Sequence, residues 1–404
     1  MRNICFVTSG SLPVPAVKGG AVEQLVQQLC EDNERDPQFN ITCITKANLI
    51  AENLQKTYVY TRFVNIHTWG NFYYRMAWKA RGLMRRLTNY DYPRFHIYEW
   101  RTHNYLMHHA HNFDLIIAEA CDIQLLDAFA RKNGTKHICL HLHGPFQACL
   151  AYDKIYGSLL AVSEFIKQNY SATSSVMNKD NALVLMNGID TNRFRTELTV
   201  YERHQLRKRL DFCDDDFVII FCGRIIKEKG VKQLIEAVIS ISEPNVKLLI
   251  VGSSNFGKGN EGEYPKEVQR LSQQNPARIK YTGFVQNSEM YRYYKVADIG
   301  IVPSMCNEAF NLVALEMMSS GLPTVTTEVG GIPEVCSDET TLFIKNDSYI
   351  VNSIKNSILK FYKNSDLQRQ FSLAALKRAK LFSREIYFNT FCEHVNKLII
   401  HADK

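Results

Sequence analysis

Glu308 and Glu316 frame the segment whose residue types and spacing most readily do chemistry, with Ala309, Phe310, Asn311, Leu312 and Val313 between them. A strand is expected to end at Pro303 and Ser304, and Gly321, Leu322 and Pro323 should close a helix that begins near Asn311. A strand-end carboxylate, a helix N-terminus and a second carboxylate two turns on suit a phosphorylated sugar. Glu308 would approach the sugar, and the free N–H groups around Phe310 to Val313 would face a phosphate. Glu316 would accept hydrogen bonds from two ribose hydroxyls. Acidic residues are also common at ordinary helix starts, so the spacing alone leaves both readings open.

Context favours the first. Gly223, Arg224, Lys229 and Gly230 follow the first strand of the second half, where a Rossmann-like unit places its phosphate-contacting turn. Arg224 offers a planar fork to phosphate oxygens and Lys229 a compact charge, whereas Lys227 reads as solvated surface. In the first half, Gly19 and Gly20 close a loop and open a helix, allowing backbone to approach phosphate closely. A merely flexible loop explains them equally well. His141 and His143 share a facing at the end of a strand, with Gly144 and Pro145 following. His143 would donate to a sugar hydroxyl or to the acceptor; a satisfied polar residue is the competing reading. The histidine pair also raises the question of a metal, but no third ligand has convincing spacing. Asp214, Asp215 and Asp216 precede a strand, unlike a metal-holding pair at a strand's carboxyl end, and read as an acidic turn.

The elements that must position these groups alternate along the chain. Strands are expected at 4–8, 41–45, 115–118, 137–143, 159–162 and 182–186, and a helix over 21–33 puts Val22, Leu25, Val26 and Leu29 on one face. A polar stretch over 191–216 interrupts the pattern, which restarts with strands at 217–222, 247–251, 279–283, 299–303 and 324–327. Such alternation predicts an α/β protein of two Rossmann-like domains, each a parallel sheet covered on both faces. They would face each other across a cleft at the strands' carboxyl ends. The N-terminal domain is expected over 1–192, joined by a C-terminal helix over about 383–404 that crosses back to it, and the C-terminal domain over 193–382. The 404 residues are enough for two such cores.

Together these residues resemble family 4 of the retaining glycosyltransferases, which has the GT-B fold. The likeness extends to Asp114, Leu115 and Ile116, to Ser163 and Glu164, to the run Asn187, Gly188, Ile189, Asp190, and to Gly330, Gly331, Ile332, Pro333 and Glu334. The opening Leu12 to Gly20 resembles a bacterial branch with spore-coat-associated members. The resemblance implies that Glu316 binds the ribose and that Arg224 and Lys229 bind the diphosphate. Glu308 and His143 would sit by the donor sugar, and Gly20 would touch phosphate. It implies retention of configuration, with a phosphate oxygen taking the acceptor proton and no metal or other cofactor required. Family members often carry glycine where Asn311 stands.

A UDP-sugar is the default donor, and a glycan or lipid-linked saccharide of a bacterial surface polysaccharide the expected acceptor. A nucleotide-sugar epimerase and a non-catalytic coat protein on the same scaffold are the alternatives. Over 72–101, Phe72, Tyr73, Tyr74, Trp78 and Trp100 interleave with Arg75, Lys79, Arg81, Arg85 and Arg86. This reads first as a helix packed on the sheet with a solvated basic face, and second as an amphipathic helix on an anionic membrane. No nucleic-acid-binding module accompanies it. The net charge of +7 favours acidic partners without choosing among them. Eleven scattered cysteines without a C-x-x-C read as reduced thiols, and no apolar run approaches a signal peptide or membrane span. A cytoplasmic protein, at the inner membrane face if 72–101 binds lipid, is therefore expected.

Overall fold

Short runs of Ile, Val, Leu and Phe, apolar on both faces, are what a strand needs at the centre of a parallel sheet covered by helices. The computed structural model describes residues 1–68, 76, 97–119, 123–253 and 262–403. Its contacts divide the chain into one unit of Met1–Ala161, Lys167–Leu185 and Phe388–Lys404, and another of Val162–Ile166 and Met186–Tyr387. Each holds one parallel sheet, as the alternation predicts.

In the first unit, β1 (Arg2–Thr8), β2 (Phe39–Lys46), β3 (Thr61–Ile66), β4 (Leu115–Glu119), β5 (Ile138–Leu142), β6 (Ser158–Ala161) and β7 (Ala182–Val184) form a sheet of order β3-β2-β1-β4-β5-β6-β7. All pairs are parallel. The chain therefore reverses its direction of travel between β1 and β4, the topological switch point at which open α/β sheets receive ligands. Ile4, Cys5, Phe6 and Val7 are wholly buried there. The helix Ala21–Arg35 buries Leu25, Val26 and Leu29, three of the residues expected on its apolar face.

The second unit repeats the plan with β8 (Phe217–Cys222), β9 (Val246–Val251), β10 (Ile279–Gly283), β11 (Ile299–Val302), β12 (Thr324–Thr327) and β13 (Thr341–Ile344), in the order β10-β9-β8-β11-β12-β13. Its switch point lies between β8 and β11, where Ile299 pairs with Ile219 and Gly300 with Ile220. The interruption expected over 191–216 contains two short helices. Asp190 caps Thr191–Arg195, and a reciprocal Thr199–Glu202 box caps Val200–Arg209. Arg207, buried to 1%, donates to the carbonyls of Cys213, Asp214, Asp216 and Val296 and to Asp298, tying this stretch to the amino end of β8. The three aspartates stand in that turn.

The helix Arg384–Ala402 closes the chain, and its residues from Phe388 onward belong to the first unit. Phe391 stacks on Phe6 at 5.7 Å and meets Phe39 edge-on at 6.1 Å, while His394 contacts the Val184 carbonyl. This is the expected return. Of the basic and aromatic stretch over 72–101, all but Met76 and 97–101 lie outside the described residues. Among the described residues, no helix is long and apolar enough to cross a membrane.

Candidate active site

The carboxyl ends of β8 and β11 bring Lys229 and Glu308 together. Lys229 lies in a turn that ends at Gly230 with φ +68°, opening the helix Val231–Ile239. A Cβ at Gly230 would sit 2.0 Å from the Pro303 carbonyl oxygen, so only glycine lets this turn lie against the end of β11. Met305 donates its N–H to the Glu228 carbonyl at 2.8 Å, and Thr327 donates its hydroxyl to the Ser304 carbonyl at 2.8 Å. With the loop held from both sides, Lys229 Nζ and Ser304 Oγ both donate to Glu308 Oε1, each at 2.5 Å. Lys229 thus has an acidic partner in the resting chain. Arg224, in the same loop, is exposed, and its side chain makes no hydrogen bond or ion pair among the described residues.

The backbone of Glu308 is fixed from a third direction. Gly331 donates its N–H to the Glu308 carbonyl at 2.8 Å, and a Cβ at Gly330 would lie 2.2 Å from that same oxygen. Ser163 donates its hydroxyl to the Ala309 carbonyl at 2.6 Å. Phe310 is buried and packs edge-on against Phe382. Asn311 caps the helix Leu312–Ser319, its side-chain oxygen accepting the Ala314 N–H at 2.9 Å. Of the first-turn amides, the one at Ala314 is therefore already taken, and those of Leu312 and Val313 stay outside the helix's own hydrogen bonding. The asparagine is a capping residue by preference, which gives its presence in place of glycine a local reason.

Glu316, one side of that helix further on, is buried to 8%. Tyr294 donates its hydroxyl to Oε2 at 2.6 Å and Asn287 its amide to Oε1 at 3.3 Å. Arg193 in turn donates to the Asn287 amide oxygen at 2.6 Å and lies over the Phe194 ring. Burial pushes the Glu316 carboxyl above its usual range, against the Tyr294, Arg193 and Asn287 interactions that pull it down. Tyr294, Asn287 and Arg193 do not stand out from the sequence as site residues. The one sequence signal near them is that Arg193 lies three residues past Asp190, at the end of the run that opens at Asn187.

In the first unit, Gly20 with φ +106° precedes the helix Ala21–Arg35, and Gly19 also has a positive φ. A Cβ at Gly20 would meet the Glu23 carboxylate at 2.2 Å; burial raises the carboxyl of Glu23. His143 stands immediately past β5 and half-buried, while His141 within β5 is wholly buried. Both reach Glu119 at the end of β4. His141 Nδ1 lies 2.9 Å from Oε1 and His143 Nε2 2.8 Å from Oε2, with the rings 4.1 Å apart. The third member that the histidine pair lacked in the sequence is therefore Glu119. The ligand-type atoms of the three lie within 4.8 Å of one another. Burial drives the Glu119 carboxyl up, but His141 and His143 more than reverse it and hold it at about 2. Burial, with His141 beside it, lowers the affinity of His143 for a proton.

Residues 202–378 match the family of glycosyl transferases group 1. Over that span the chain is similar to the group 1 glycosyltransferases. An uncharacterized glycosyltransferase of Methanocaldococcus jannaschii is 30% identical over 237 residues, 52% of this chain and 58% of that protein. The chain thus aligns with somewhat more than half the length of that relative. A lipopolysaccharide 1,2-N-acetylglucosaminetransferase of Salmonella typhimurium is 24% identical over 68% of this chain and 70% of its own length. The crystal structure of Anabaena HepE in complex with UDP superposes with a TM-score of 0.73 at 17% identity, covering 98% of this chain and all of that one. Structural neighbours of this kind show that the chain has the GT-B fold. Arg224, Lys229, Glu308 and Glu316 all fall within the matched span; the glycines of the first loop and His143 fall before it.

Proposed function

We propose that this glycosyltransferase moves a sugar from a nucleotide diphosphate sugar, a UDP-sugar by preference, to a glycan or lipid-linked saccharide in building a bacterial surface polysaccharide. The observation that carries the reading is the meeting of Lys229, Ser304 and Glu308 at the switch point of the second sheet, with Arg224 exposed beside them and Glu316 along the adjoining helix. The Salmonella relative, named for transfer of N-acetylglucosamine to lipopolysaccharide, supports the acceptor class. The HepE complex with UDP-glucose supports the donor class.

In this reading Glu316 accepts from the ribose hydroxyls, and its two existing donors fix the carboxylate's orientation beforehand. A diphosphate draws Lys229 toward its oxygens, freeing Glu308 Oε1 for the donor sugar, while Arg224 closes on the outer oxygens. As the glycosidic bond breaks, charge gathers on the departing diphosphate, and the two cations stabilise it where it develops. The acceptor attacks the face that the nucleotide leaves, a phosphate oxygen takes its proton, and the configuration is retained. Lys229 and Arg224 supply the charge that a metal would otherwise supply, so no cofactor is invoked.

The test is nucleotide release from a panel of UDP-, GDP-, ADP- and dTDP-sugars, with and without a bacterial membrane-lipid extract and with and without EDTA. Release from one donor, stimulated by extract and unchanged by EDTA, is expected. Loss of release in EDTA would contradict the metal-independent mechanism, and silence across the panel would contradict the transferase reading.

A further inference from the structure

We propose that the second unit carries a binding site for an acidic sugar residue of the hexuronate kind, in a pocket at the edge of its sheet and apart from the groups assigned to the donor. The proposal deepens the glycan reading above and rests on it for the chemistry of the ligand.

The pocket is built by the end of one strand and two helices, all of the second unit. β10 is an edge of the sheet, and Gly283 with φ +74° turns the chain off its end, leaving Phe284 exposed. The helix Met290–Val296 follows. Residues three and four apart share a side of a helix, and Glu289, Arg292 and Tyr293 have that spacing. Met290 and Tyr294 are buried, and the Tyr294 hydroxyl is the one that donates to Glu316. Glu289, Arg292 and Tyr293 therefore stand on a different side of the helix from the Glu316 contact. The helix Val200–Arg209 is tied alongside, because Arg203 and Arg207 donate to the Lys295 and Val296 carbonyls, each at 3.1 Å. This brings Leu206 and Arg209, again three apart, to the same opening. The pocket holds about 380 Å³, within the range of small-ligand sites. Arg224, Lys229, Glu308 and Glu316 take no part in its lining.

The charges of this pocket are uncommitted. The guanidinium groups of Arg209 and Arg292 make no hydrogen bond or ion pair among the described residues. Glu202 feels the charge of Arg292, but its Oε2 is already bound to the Thr199 N–H and hydroxyl. A guanidinium presents paired N–H donors that match the two oxygens of a carboxylate. Two arginines against Glu289 leave one net positive charge, which balances a single carboxylate and falls short of a phosphate monoester near its second ionisation. The Phe284 and Tyr293 rings, with Leu206, offer apolar surface to the C–H face of a sugar ring. Glu289 can only accept, and sugar hydroxyls are donors. A neutral sugar would leave both arginines unmatched, and a purely apolar ligand would strand all three charges. A growing glycan held here by one acidic residue stays at high local concentration.

The test is saturation-transfer NMR on the full chain with glucuronate, glucose and glucose 6-phosphate as separate probes, with and without excess UDP, GDP, ADP and dTDP. Glucose differs from glucuronate only in carrying a hydroxymethyl group where the carboxylate stands. The expected result is glucuronate binding that is about tenfold tighter than glucose binding and unaffected by nucleotide. Arg209→Ala and Arg292→Ala should each weaken glucuronate by about tenfold, with thermal midpoint and nucleotide affinity unchanged. Phe284→Ala should weaken glucuronate and glucose by the same factor, since it removes ring contact and no charge. Absence of glucuronate binding, equal binding of glucuronate and glucose, or full glucuronate affinity in both folded arginine variants would overturn the proposal. Displacement of glucuronate by a nucleotide would overturn it by placing the sugar in the donor site. Glucose 6-phosphate binding more tightly than glucuronate, and lost in Arg209→Ala, would overturn the carboxylate assignment in favour of a phosphate site. No release from any donor in the nucleotide-sugar panel would remove the transferase reading itself, and because sugar binding is measured without transfer the two failures are told apart.

Discussion

Lys229 and Arg224 share a loop but not a condition. Lys229 is neutralised by Glu308, with one fifth of its side chain exposed, while Arg224 stands in solvent. The desolvation cost of a largely buried ion pair offsets much of its attraction, so its value lies in where it leaves the two groups. A diphosphate can replace Glu308 as the partner of Lys229 without creating a buried unpaired charge. Arg224, having no partner to lose, should show its effect chiefly in the reaction. Arg224→Ala is expected to lower turnover by about 10²–10³, the usual consequence of removing one preorganised charge stabiliser, with little change in melting temperature. Steady-state rates and a thermal melt of the same preparation check both halves. Charge type and spacing made this pair legible in the sequence. The partners of Glu316 were not legible, because nothing in Tyr294 or Asn287 separates them from other helix and turn residues until the fold brings them to the carboxylate. Glu119 was hidden for the same reason, since its link to His141 is a matter of register between strands 22 residues apart.

At the scale of elements, the central strands announced themselves. β1, β8 and β9 carry unbroken apolar runs because both of their faces are covered. The strands that went unread, β3 and β13, are the edge of one sheet and the edge of the other. β3 has Arg62 exposed and Asn65 half-buried, and β13 is only four residues long. Edge strands face solvent along one side and lose the pattern that marks the others. The loops that build the site depend on glycine in a few places, and Gly230 is the sharpest. Its left-handed φ would strain any other residue, and a Cβ there would strike the Pro303 carbonyl. Gly230→Ala should therefore destabilise the second unit by about 2 kcal/mol or more. Because the clash pushes the turn away from the end of β11, it should also separate Lys229 from Glu308 and slow transfer. Urea unfolding and the rate assay measure the two effects; an unchanged unfolding midpoint would show that the turn has room after all.

For the whole molecule, the division into two Rossmann-like units was legible because β-α alternation stops and restarts once. The return of the last helix to the first unit was legible only through its position after the final strand. The aromatic residues that anchor it, Phe391 against Phe6 and Phe39, look like any other apolar residues of an amphipathic helix until packed. In the proposed reaction the second unit reads the nucleotide of a sugar donor, with Glu316 on the ribose. Isothermal titration with UDP, GDP, ADP and dTDP tests it directly. The unmodified chain is expected to bind one of these at a single site, and Glu316→Ala to weaken the same nucleotide by roughly tenfold or more. Equal affinity in the two proteins would contradict it.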